Sequence, residues 1–375
     1  MEHTYKLLTP GPLTTTMGVK EQMLFDHCTW DDDYKRITQE IRASLLRLVH
    51  AGDDYTAVLM QGSGTFGNEA VLTSVVGADE CVLVCSNGAY GVRLADICRK
   101  AQVPCVEYAE AFDRIPDPER VAAYLEADPS ITHVAMVHSE TTSGLLNDIE
   151  AVGRVAKAAG KTFIVDAMSS FAGVDIPVAD WGIDFLVSSA NKCIQGVPGF
   201  SFIICRRAAL EESRGKARSL SLDLYAQWET MEKDGGKWRF TSPTHVVLAF
   251  AQALRELEEE GGIPARAARY AATNKLLIER MCALGFKLYL DHHQGPIITT
   301  FIHPDDVSFT FKEMYDYVKE RGLRAVPGQA ARRRYLPRRQ HRRDLRGRHH
   351  ERDRRARRLL GGASRVGDGT RPGAP

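Results

Sequence analysis

The sequence contains none of the signals that mark secreted, membrane-spanning or metal-binding proteins. Its 375 residues include eight cysteines but no Cys-x-x-Cys spacing, so neither a zinc ribbon nor a redox dithiol motif is indicated. No apolar run reaches the roughly 18 residues needed to span a bilayer, and the N-terminus has no apolar core of signal-peptide length. No His, Asp and Glu cluster has the spacing of a metal site. We therefore expect a cytoplasmic protein with reduced thiols that binds neither a membrane nor a metal.

Charge is distributed unevenly along the chain. The formal net charge is only +1, yet residues 329–375 contain 16 Arg, no Lys and 4 acidic residues, a net of +12. Residues 1–328 contain 33 basic and 44 acidic residues, a net of −11. The basic segment has no sustained apolar period, so we expect a disordered tail. Because it carries no aromatic interleaving and no folded module, it does not indicate nucleic-acid binding.

Short apolar runs alternate with longer amphipathic stretches between about residues 35 and 210. This pattern predicts an α/β fold with a mainly parallel sheet of about seven strands and flanking helices. The predicted strands are 57–60, 81–85, 103–108, 133–138, 162–165, 185–187 and 200–205. The predicted helices are 34–49, 67–76, 91–100, 118–127, 149–159 and 208–216. Such a sheet binds its ligands at the carboxyl ends of the strands, where the chain has Gln61, Ser86, His138, Asp166 and Ser188.

A second, smaller α/β layer is predicted after residue 243. Its predicted helices are 243–260, 265–284 and 311–321, and its predicted strands are 286–290 and 297–302. We therefore expect an N-terminal segment at 1–20, a large domain at 21–255, a small, incomplete C-terminal domain at 256–328 and the Arg-rich tail at 329–375.

A glycine-rich sequence, Gly-Ser-Gly-Thr-Phe-Gly at 62–67, follows a predicted strand and opens a helix. It satisfies the dinucleotide-binding pattern, but no acidic residue ends the next strand to hold a ribose. Backbone N–H groups at a helix N-terminus, with the Ser63 and Thr65 hydroxyls, suit a small phosphate equally well. A phosphate cradle formed by Ser63, Gly64 and Thr65, a plain tight turn and a dinucleotide site all remain open from this motif.

Lys192 and Asp166 lie at the ends of two apolar runs. Lys192 follows the run 185–187 among Ser, Asn and Gly residues, and Asp166 ends the run 163–166, 26 residues earlier. Taken singly, Lys192 could be a surface lysine, and Asp166 a helix N-cap or a metal ligand. Together with the cradle they favour a pyridoxal phosphate enzyme, in which the amine holds the cofactor as a Schiff base and the carboxylate pairs with the pyridinium nitrogen.

Four further residues are candidate cofactor contacts, each with an ordinary alternative. Tyr90 could stack on a planar ring or be buried at a helix start. Thr142 lies in the polar cluster 138–144, which could hydrogen-bond a ring hydroxyl or form a capping turn. Thr241 and Thr244 could serve the site or cap the following helix.

With these residues assembled, the chain resembles the class V aminotransferases, which are fold type I pyridoxal phosphate enzymes. The resemblance covers roughly residues 5 to 328. It is carried by 8–13, 26–34, 62–68, 138–144, 166–170, 189–192 and 240–244. The sequence Asp-His-Cys-x-Trp-Asp-Asp-Asp-Tyr at 26–34 is much more specific than the glycines.

The resemblance implies a homodimer with its active site at the subunit boundary. Lys192 would be the Schiff-base residue, Asp166 the partner of the ring nitrogen, and 63–65 the phosphate cradle. Thr241 or Thr244 would reach the phosphate from the neighbouring subunit. The implied reaction transfers the amino group of 2-aminoethylphosphonate to pyruvate, giving phosphonoacetaldehyde and alanine.

Two alternative functions remain from the sequence. One is another class V activity, of the alanine–glyoxylate or serine–pyruvate type. The other is a non-catalytic, decayed homologue. A cysteine desulfurase is disfavoured, because no cysteine lies in a context that suits a reactive thiol on a mobile loop.

The C-terminal segment departs from the family pattern. After the helix that corresponds to 311–321, members of the family have a motif like Asp-Thr-Phe-Arg-x-Gly-Asn-Ile-Gly. The Arg of this motif holds the anionic end of the substrate. This chain has no such motif. One chosen set of permitted codons for residues 329–345, read after dropping the first base, gives Lys-Leu-Pro-Gly-Ala-Asp-Thr-Phe-Arg-Val-Gly-Asn-Ile-Gly-Glu-Ile. We therefore interpret the tail as the product of a frameshift after Gly328, with the lost Arg falling where Pro337 now stands. The chain is expected to bind pyridoxal phosphate but to transaminate poorly or not at all.

Overall fold

The computed structural model describes residues 5–302, 304, 308 and 310–325. The strands are β1 (Lys6–Leu8), β2 (Tyr55–Gln61), β3 (Cys81–Ser86), β4 (Cys105–Ala109), β5 (Ile131–Val137), β6 (Ser139–Glu140), β7 (Leu145–Leu146), β8 (Thr162–Asp166), β9 (Phe185–Ser189), β10 (Phe200–Arg206), β11 (Lys287–Leu288), β12 (Phe301–Ile302) and β13 (Leu323–Ala325). The helices are α1 (Met17–Glu21), α2 (Asp32–Arg47), α3 (Gly64–Val75), α4 (Ala89–Lys100), α5 (Pro118–Ala127), α6 (Ile149–Ala158), α7 (Arg207–Glu212), α8 (Leu224–Lys233), α9 (Thr244–Glu259), α10 (Gly262–Ala283) and α11 (Phe311–Glu320). A short 3₁₀ helix spans Gln22–Leu24.

Seven strands form the central sheet, in the order β2-β10-β9-β8-β5-β3-β4. Strands β9, β8, β5, β3 and β4 pair in parallel, whereas β10 runs antiparallel to both of its neighbours, β2 and β9. The predicted α/β fold with a mainly parallel sheet is confirmed. The antiparallel direction of β10 was not predicted, because apolar runs indicate strands without giving their direction.

The strands are apolar because helices and loops cover both faces of the sheet. Every residue of β3 is buried, and only Gln61, at the end of β2, is exposed in that strand. Helix α3 packs closely on the sheet: a β-carbon at Gly67 would come within 2.7 Å of Ser201 Oγ and 3.0 Å of a Val187 methyl group. This contact fixes α3, and with it the glycine-rich turn, relative to β9 and β10.

The parallel strands bring the polar residues that follow them to one edge of the sheet. Strand β8 ends at Asp166, β9 ends at Ser189, and His138 directly follows β5. In the register of β8 and β9, Asp166 lies opposite Val187. The polar strand ends predicted from the sequence therefore lie together.

Smaller two-stranded sheets lie outside the central sheet. Strands β1 and β13 pair in parallel, with Lys6 opposite Leu323, and β11 pairs with β12 in antiparallel fashion. The strand expected at 297–302 is confined to Phe301–Ile302, and helix α8 was not predicted. The expected helix at 208–216 ends at Glu212. The division into large and small domains stays a prediction, and the 329–375 tail lies outside the described residues.

Candidate active site

Lys192 lies three residues after the end of β9, with its side chain partly buried. Its Nζ donates a hydrogen bond to the carbonyl oxygen of Pro10, 3.2 Å away. Burial lowers the pKa of the Lys192 amine, and the carboxylate of Asp166 partly opposes that shift. A larger fraction of the amine is therefore neutral, and so nucleophilic, than in an exposed lysine.

Asp166 is the last residue of β8 and is buried. Its Oδ2 accepts a hydrogen bond from Asn68 Nδ2 at 2.6 Å, and its Oδ1 accepts one from the Met168 N–H at 2.9 Å. Burial raises the pKa of Asp166, while these two hydrogen bonds and the positive charges of Lys192 and Arg93 oppose the increase. The Asp166 carboxylate thus accepts two hydrogen bonds, and a cation bound beside it would further stabilise its ionised form.

The predicted phosphate cradle lies beside Asp166. Gly62 has a φ of +108°, which favours glycine, and Ser63 is the N-cap of α3. The Ser63 side chain accepts no capping hydrogen bond from α3, and the first intrahelical bonds are donated by Phe66 and Gly67 to the Ser63 carbonyl. The N–H groups of Gly64 and Thr65 precede these bonds and are donors for an anion. A β-carbon at Gly64 would overlap Met168 Sδ, so this turn and the Asp166 loop are in close contact.

Tyr90 lies in the first turn of α4 and is half-buried. The Arg93 guanidinium lies over the Tyr90 ring, with its carbon 4.8 Å from the ring centroid. The charge of Arg93 also acts on both Asp166 and Lys192. The start of α4 is therefore near enough to the predicted catalytic pair for the Arg93 charge to act on both residues.

Thr142 is buried, and its hydroxyl is used inside the protein. It donates to the carboxylate of Glu140 and accepts from the Ala89 N–H at 3.1 Å. The single hydroxyl proton is directed at Glu140, so in this arrangement Thr142 has no proton to donate to a ring oxygen. Its predicted cofactor contact stays a prediction.

Thr241 is exposed, and Thr244 is the first residue of α9. Neither caps the helix, since the N-cap is Pro243 and no side-chain capping bond is present. Among the residues that the structure describes, no hydrogen bond joins either threonine to Lys192, Asp166 or the cradle. Their predicted role in a neighbouring subunit's site is not tested within one chain.

His138 is a neighbour of the site that packs into the core. Its backbone N–H donates to the Asp166 carbonyl at 2.8 Å, and its ring meets Trp181 edge to face. Burial lowers the pKa of His138 to about 3. The ring is therefore neutral, and its Nδ1 finds no partner within the described part of the chain.

Sequence reasoning did not single out Asn68, Arg93, Glu140, Pro10 or Gly11. Asn68 had a recognisable signal, because it follows Gly64 by four residues and so lies on the same face of α3. The other four residues come near Lys192 and Asp166 through folding, and no local sequence pattern indicates them.

No group of three or more His, Cys, Asp or Glu side chains within the described ranges is arranged to hold a metal. In the same residues no helix is both long and apolar enough for a bilayer.

The model of the family described as aminotransferase class-V matches residues 27–333. The chain belongs to the class V aminotransferase family. A 2-aminoethylphosphonate–pyruvate transaminase of Lysinibacillus sphaericus is 55% identical over 327 residues, covering 87% of this chain and 89% of that protein. A second such transaminase, from Salmonella schwarzengrund, is 53% identical over 329 residues, covering 87% of this chain and 90% of that protein.

Solved structures of other aminotransferases share the fold. A pyridoxamine–pyruvate aminotransferase of Mesorhizobium loti gives a TM-score of 0.79 at 25% identity, over 88% of this chain and 84% of that one. An aspartate aminotransferase of Thermus thermophilus gives a TM-score of 0.78 at 23% identity, over 86% of this chain and 89% of that one. The family resemblance and the fold type I architecture are confirmed. As a class V aminotransferase, the chain is an enzyme that uses pyridoxal phosphate.

Proposed function

We propose that this chain transfers the amino group of 2-aminoethylphosphonate to pyruvate, yielding phosphonoacetaldehyde and alanine. The observation that carries the proposal is the arrangement of Lys192 and Asp166. They stand at the carboxyl ends of adjacent strands β9 and β8, and each charge acts on the other's pKa. The identity to relatives that carry this activity in their names supports the choice of substrates.

The residues present fit pyridoxal phosphate. A lysine amine with a lowered pKa suits an aldehyde, and a helix N-terminus with two donor N–H groups suits the phosphate. The buried Asp166 carboxylate suits a protonated ring nitrogen. When bound, the cofactor supplies an electron sink for charge that develops on the substrate carbon.

The reaction then requires distinct tasks of the protein side chains. Lys192 would hold the cofactor through its amine and, once that amine is free, would move a proton at the substrate carbon. Asp166 keeps the ring nitrogen protonated, which requires that the carboxylate itself stays ionised. Asn68 and the Met168 N–H favour that ionised form. Ser63, Gly64 and Thr65 would hold the phosphate, and Tyr90 and Thr142 would border the ring.

The proposed assembly is a cytoplasmic homodimer whose active site lies at the subunit boundary. Phe66, next to the cradle, and Phe240, next to Thr241, are each half exposed in the single chain. Apolar side chains exposed beside a binding site are typical of protein interfaces. A neighbouring subunit would cover them and bring Thr241 or Thr244 to the phosphate.

All eight cysteines are free thiols, which suits the reducing environment of the proposed cytoplasmic location.

The altered C-terminus bears on the activity of this particular chain. The similarity to the Lysinibacillus protein spans 327 residues, so about an eighth of this chain matches nothing in that relative. Within the described part, α11 buries none of its residues, and α10 exposes Leu276 and Leu277, with Leu284 exposed just after it. If a frameshift replaced the segment after Gly328, the apolar side chains of α10 and α11 that this segment would have covered are expected to be exposed.

An absorbance measurement tests cofactor attachment directly. The purified protein should be yellow, and borohydride should bleach it and leave the cofactor on the peptide that contains Lys192. A Lys192→Ala variant should lose the borohydride-stable label, and its transamination rate should fall by a factor of about 100 or more. A colourless wild-type protein that takes up no added pyridoxal phosphate would refute the proposal.

An amino-donor panel tests the substrate. We expect 2-aminoethylphosphonate to be converted in preference to alanine or serine, with pyruvate as acceptor. A preference for glyoxylate with alanine, or for serine with pyruvate, would assign a different class V activity. Colour without transfer from any donor would indicate a decayed enzyme.

A further inference from the structure

Glu140 carries a buried carboxylate to which the proposed reaction gives no role. It is the second residue of β6, two residues beyond His138, and its side chain is fully buried. None of the ion pairs in the described part of the chain includes it. A buried carboxylate without a cation is costly unless donors surround it, so its contacts call for an explanation.

Four donors converge on this carboxylate. Oε2 accepts hydrogen bonds from the Tyr90 N–H at 3.1 Å and the Gly91 N–H at 3.2 Å. Oε1 accepts from the Thr142 N–H at 3.2 Å and from the Thr142 hydroxyl. The three N–H partners can only donate, so an ionised carboxylate suits all four contacts. Burial raises the pKa of Glu140, and these hydrogen bonds oppose that shift.

Two of these donors belong to the first turn of α4, where the helix dipole is positive. The carboxylate also lies against the residue before the helix, because a β-carbon at Gly88 would overlap Glu140 Cδ. The chain before α4 therefore accommodates the carboxylate only because residue 88 is a glycine. Glu140 thus joins the loop after β5 to the start of α4.

The start of α4 carries Tyr90, a predicted cofactor contact, and the exposed Arg93, whose charge reaches the predicted catalytic pair. Tyr90 donates its own N–H to Glu140, and Arg93 follows three residues later with its guanidinium over the Tyr90 ring. Arg93 acts electrostatically on both Lys192 and Asp166. A shift of this turn would move both the ring and the charge relative to the catalytic pair.

We infer that ionised Glu140 is a positioning residue, which anchors the first turn of α4 and so fixes the Tyr90 ring and the Arg93 charge against Lys192 and the cofactor. This inference rests on the proposed function, since it concerns the same site. Glu140 touches neither substrate nor cofactor in this assignment. It acts through the backbone of Tyr90 and Gly91 and through Thr142.

The substitution Glu140→Gln tests the inference with nearly unchanged volume. A glutamine has one acceptor oxygen, so its NH₂ group must face either the α4 donors or the Thr142 donors. We expect pyridoxal phosphate, titrated into cofactor-depleted protein and followed by visible absorbance, to bind about tenfold more weakly. Glu150→Gln is the matched control, because Glu150 is an exposed residue of α6 whose carboxylate pairs with Arg154 on the same helix. It should leave cofactor binding unchanged.

The protonation of Lys192 gives a readout that simple destabilisation would not move. In cofactor-free protein, the charges that act on the Lys192 amine are those of Asp166, Cys193 and Arg93, and Arg93 lowers the pKa. If Glu140→Gln releases Arg93, the pH midpoint of Lys192 acylation, measured by mass spectrometry, should rise. Arg93→Met should produce the same rise, and the double variant should add little to either single change.

The outcomes separate this inference from the proposed function. If wild-type protein takes up no cofactor, the proposed function fails, while the Lys192 midpoint still tests the anchor. A folded Glu140→Gln variant with wild-type cofactor affinity and an unchanged midpoint would overturn the inference. Should that variant not fold, Thr142→Val removes the hydroxyl donor and leaves the α4 contacts, and the Lys192 midpoint must then rise by a smaller amount. No change in Thr142→Val would also overturn it.

Discussion

The side chain of Lys192 lies directly against Gly11. A β-carbon at residue 11 would come 2.5 Å from Lys192 Cδ and 2.7 Å from Nζ, and the amine donates to the neighbouring Pro10 carbonyl. Gly11 also has a φ of +144°, which side-chain-bearing residues rarely adopt. The segment before α1 therefore packs against the Lys192 amine, although it is far from Lys192 in sequence.

We expect Gly11→Ala to impair cofactor attachment more than folding. The added methyl group displaces the flexible end of Lys192, which costs little stability itself, while the backbone strain costs about 1–3 kcal/mol. Gly160→Ala is the control, because Gly160 also has a positive φ but a β-carbon added there would meet no atom within 4 Å. Absorbance titration with pyridoxal phosphate and thermal unfolding measure the two effects. Equal cofactor affinities in both variants would show that the Gly11 contact is unimportant.

Asn68→Ala should move the acid limb of the activity profile to higher pH. The Asn68 amide stabilises the ionised Asp166 carboxylate, so its removal raises an Asp166 pKa that burial has already raised. A hydrogen bond to a charged group contributes roughly 1.5–3 kcal/mol, which corresponds to about 1–2 pKa units. Below this shifted pKa the carboxylate is protonated and no longer pairs with the ring nitrogen. The kcat/KM profile of the variant against pH measures the shift, and an unmoved acid limb would contradict it.

Cys105 should be the more reactive thiol of a neighbouring pair. A hydrogen bond from Cys98 lowers the pKa of Cys105 to about 7, and the Arg99 charge acts in the same direction. The pKa of Cys98 is raised by the same hydrogen bond and by burial. Alkylation of Cys105 by iodoacetamide, followed by mass spectrometry, should therefore reach half its maximal rate near neutral pH.

Cys98→Ala removes the donor and should raise the Cys105 pKa. The alkylation rate at pH 7 should then fall roughly tenfold, because less thiolate is present. Exposed Cys282 is the internal control, since Cys98→Ala should leave its alkylation unchanged. An unaltered Cys105 profile would mean that the two thiols do not share a proton.

Restoring the reading frame after Gly328 should raise the transamination rate. The motif that the family resemblance implies would supply an Arg for the anionic end of the substrate. Losing such a charged contact costs about 2 kcal/mol or more, equivalent to a roughly 30-fold or greater loss in kcat/KM. The frame-restored protein and the 375-residue chain should have similar cofactor spectra, because the residues around Lys192 are the same. Comparable kcat/KM values for 2-aminoethylphosphonate would contradict the prediction. Sequencing the gene across codon 328 decides whether the shift is genomic.

Several parts of the fold and site followed from local patterns. Apolar runs ending in Asp166 and just before Lys192 indicated strands, and parallel strands end at one edge, so their proximity was predictable. The glycine-rich turn at 62–67 indicated a helix N-terminus with free donors, and Ser63 is the N-cap of α3. The direction of β10 was not predictable, since an apolar run is the same in either direction.

The amino-acid sequence by itself determined which groups are present: an amine and a carboxylate at strand ends, and a glycine-rich turn at a helix start. These features depend on residue type and short-range periodicity. Tertiary structure decided how that chemistry is tuned. Gly11 contacts Lys192 across 181 positions of sequence numbering, and Glu140 gathers donors from α4 fifty positions away. The pKa values of Lys192 and Asp166 depend on burial and on charges brought close by folding, and no local pattern specifies either quantity.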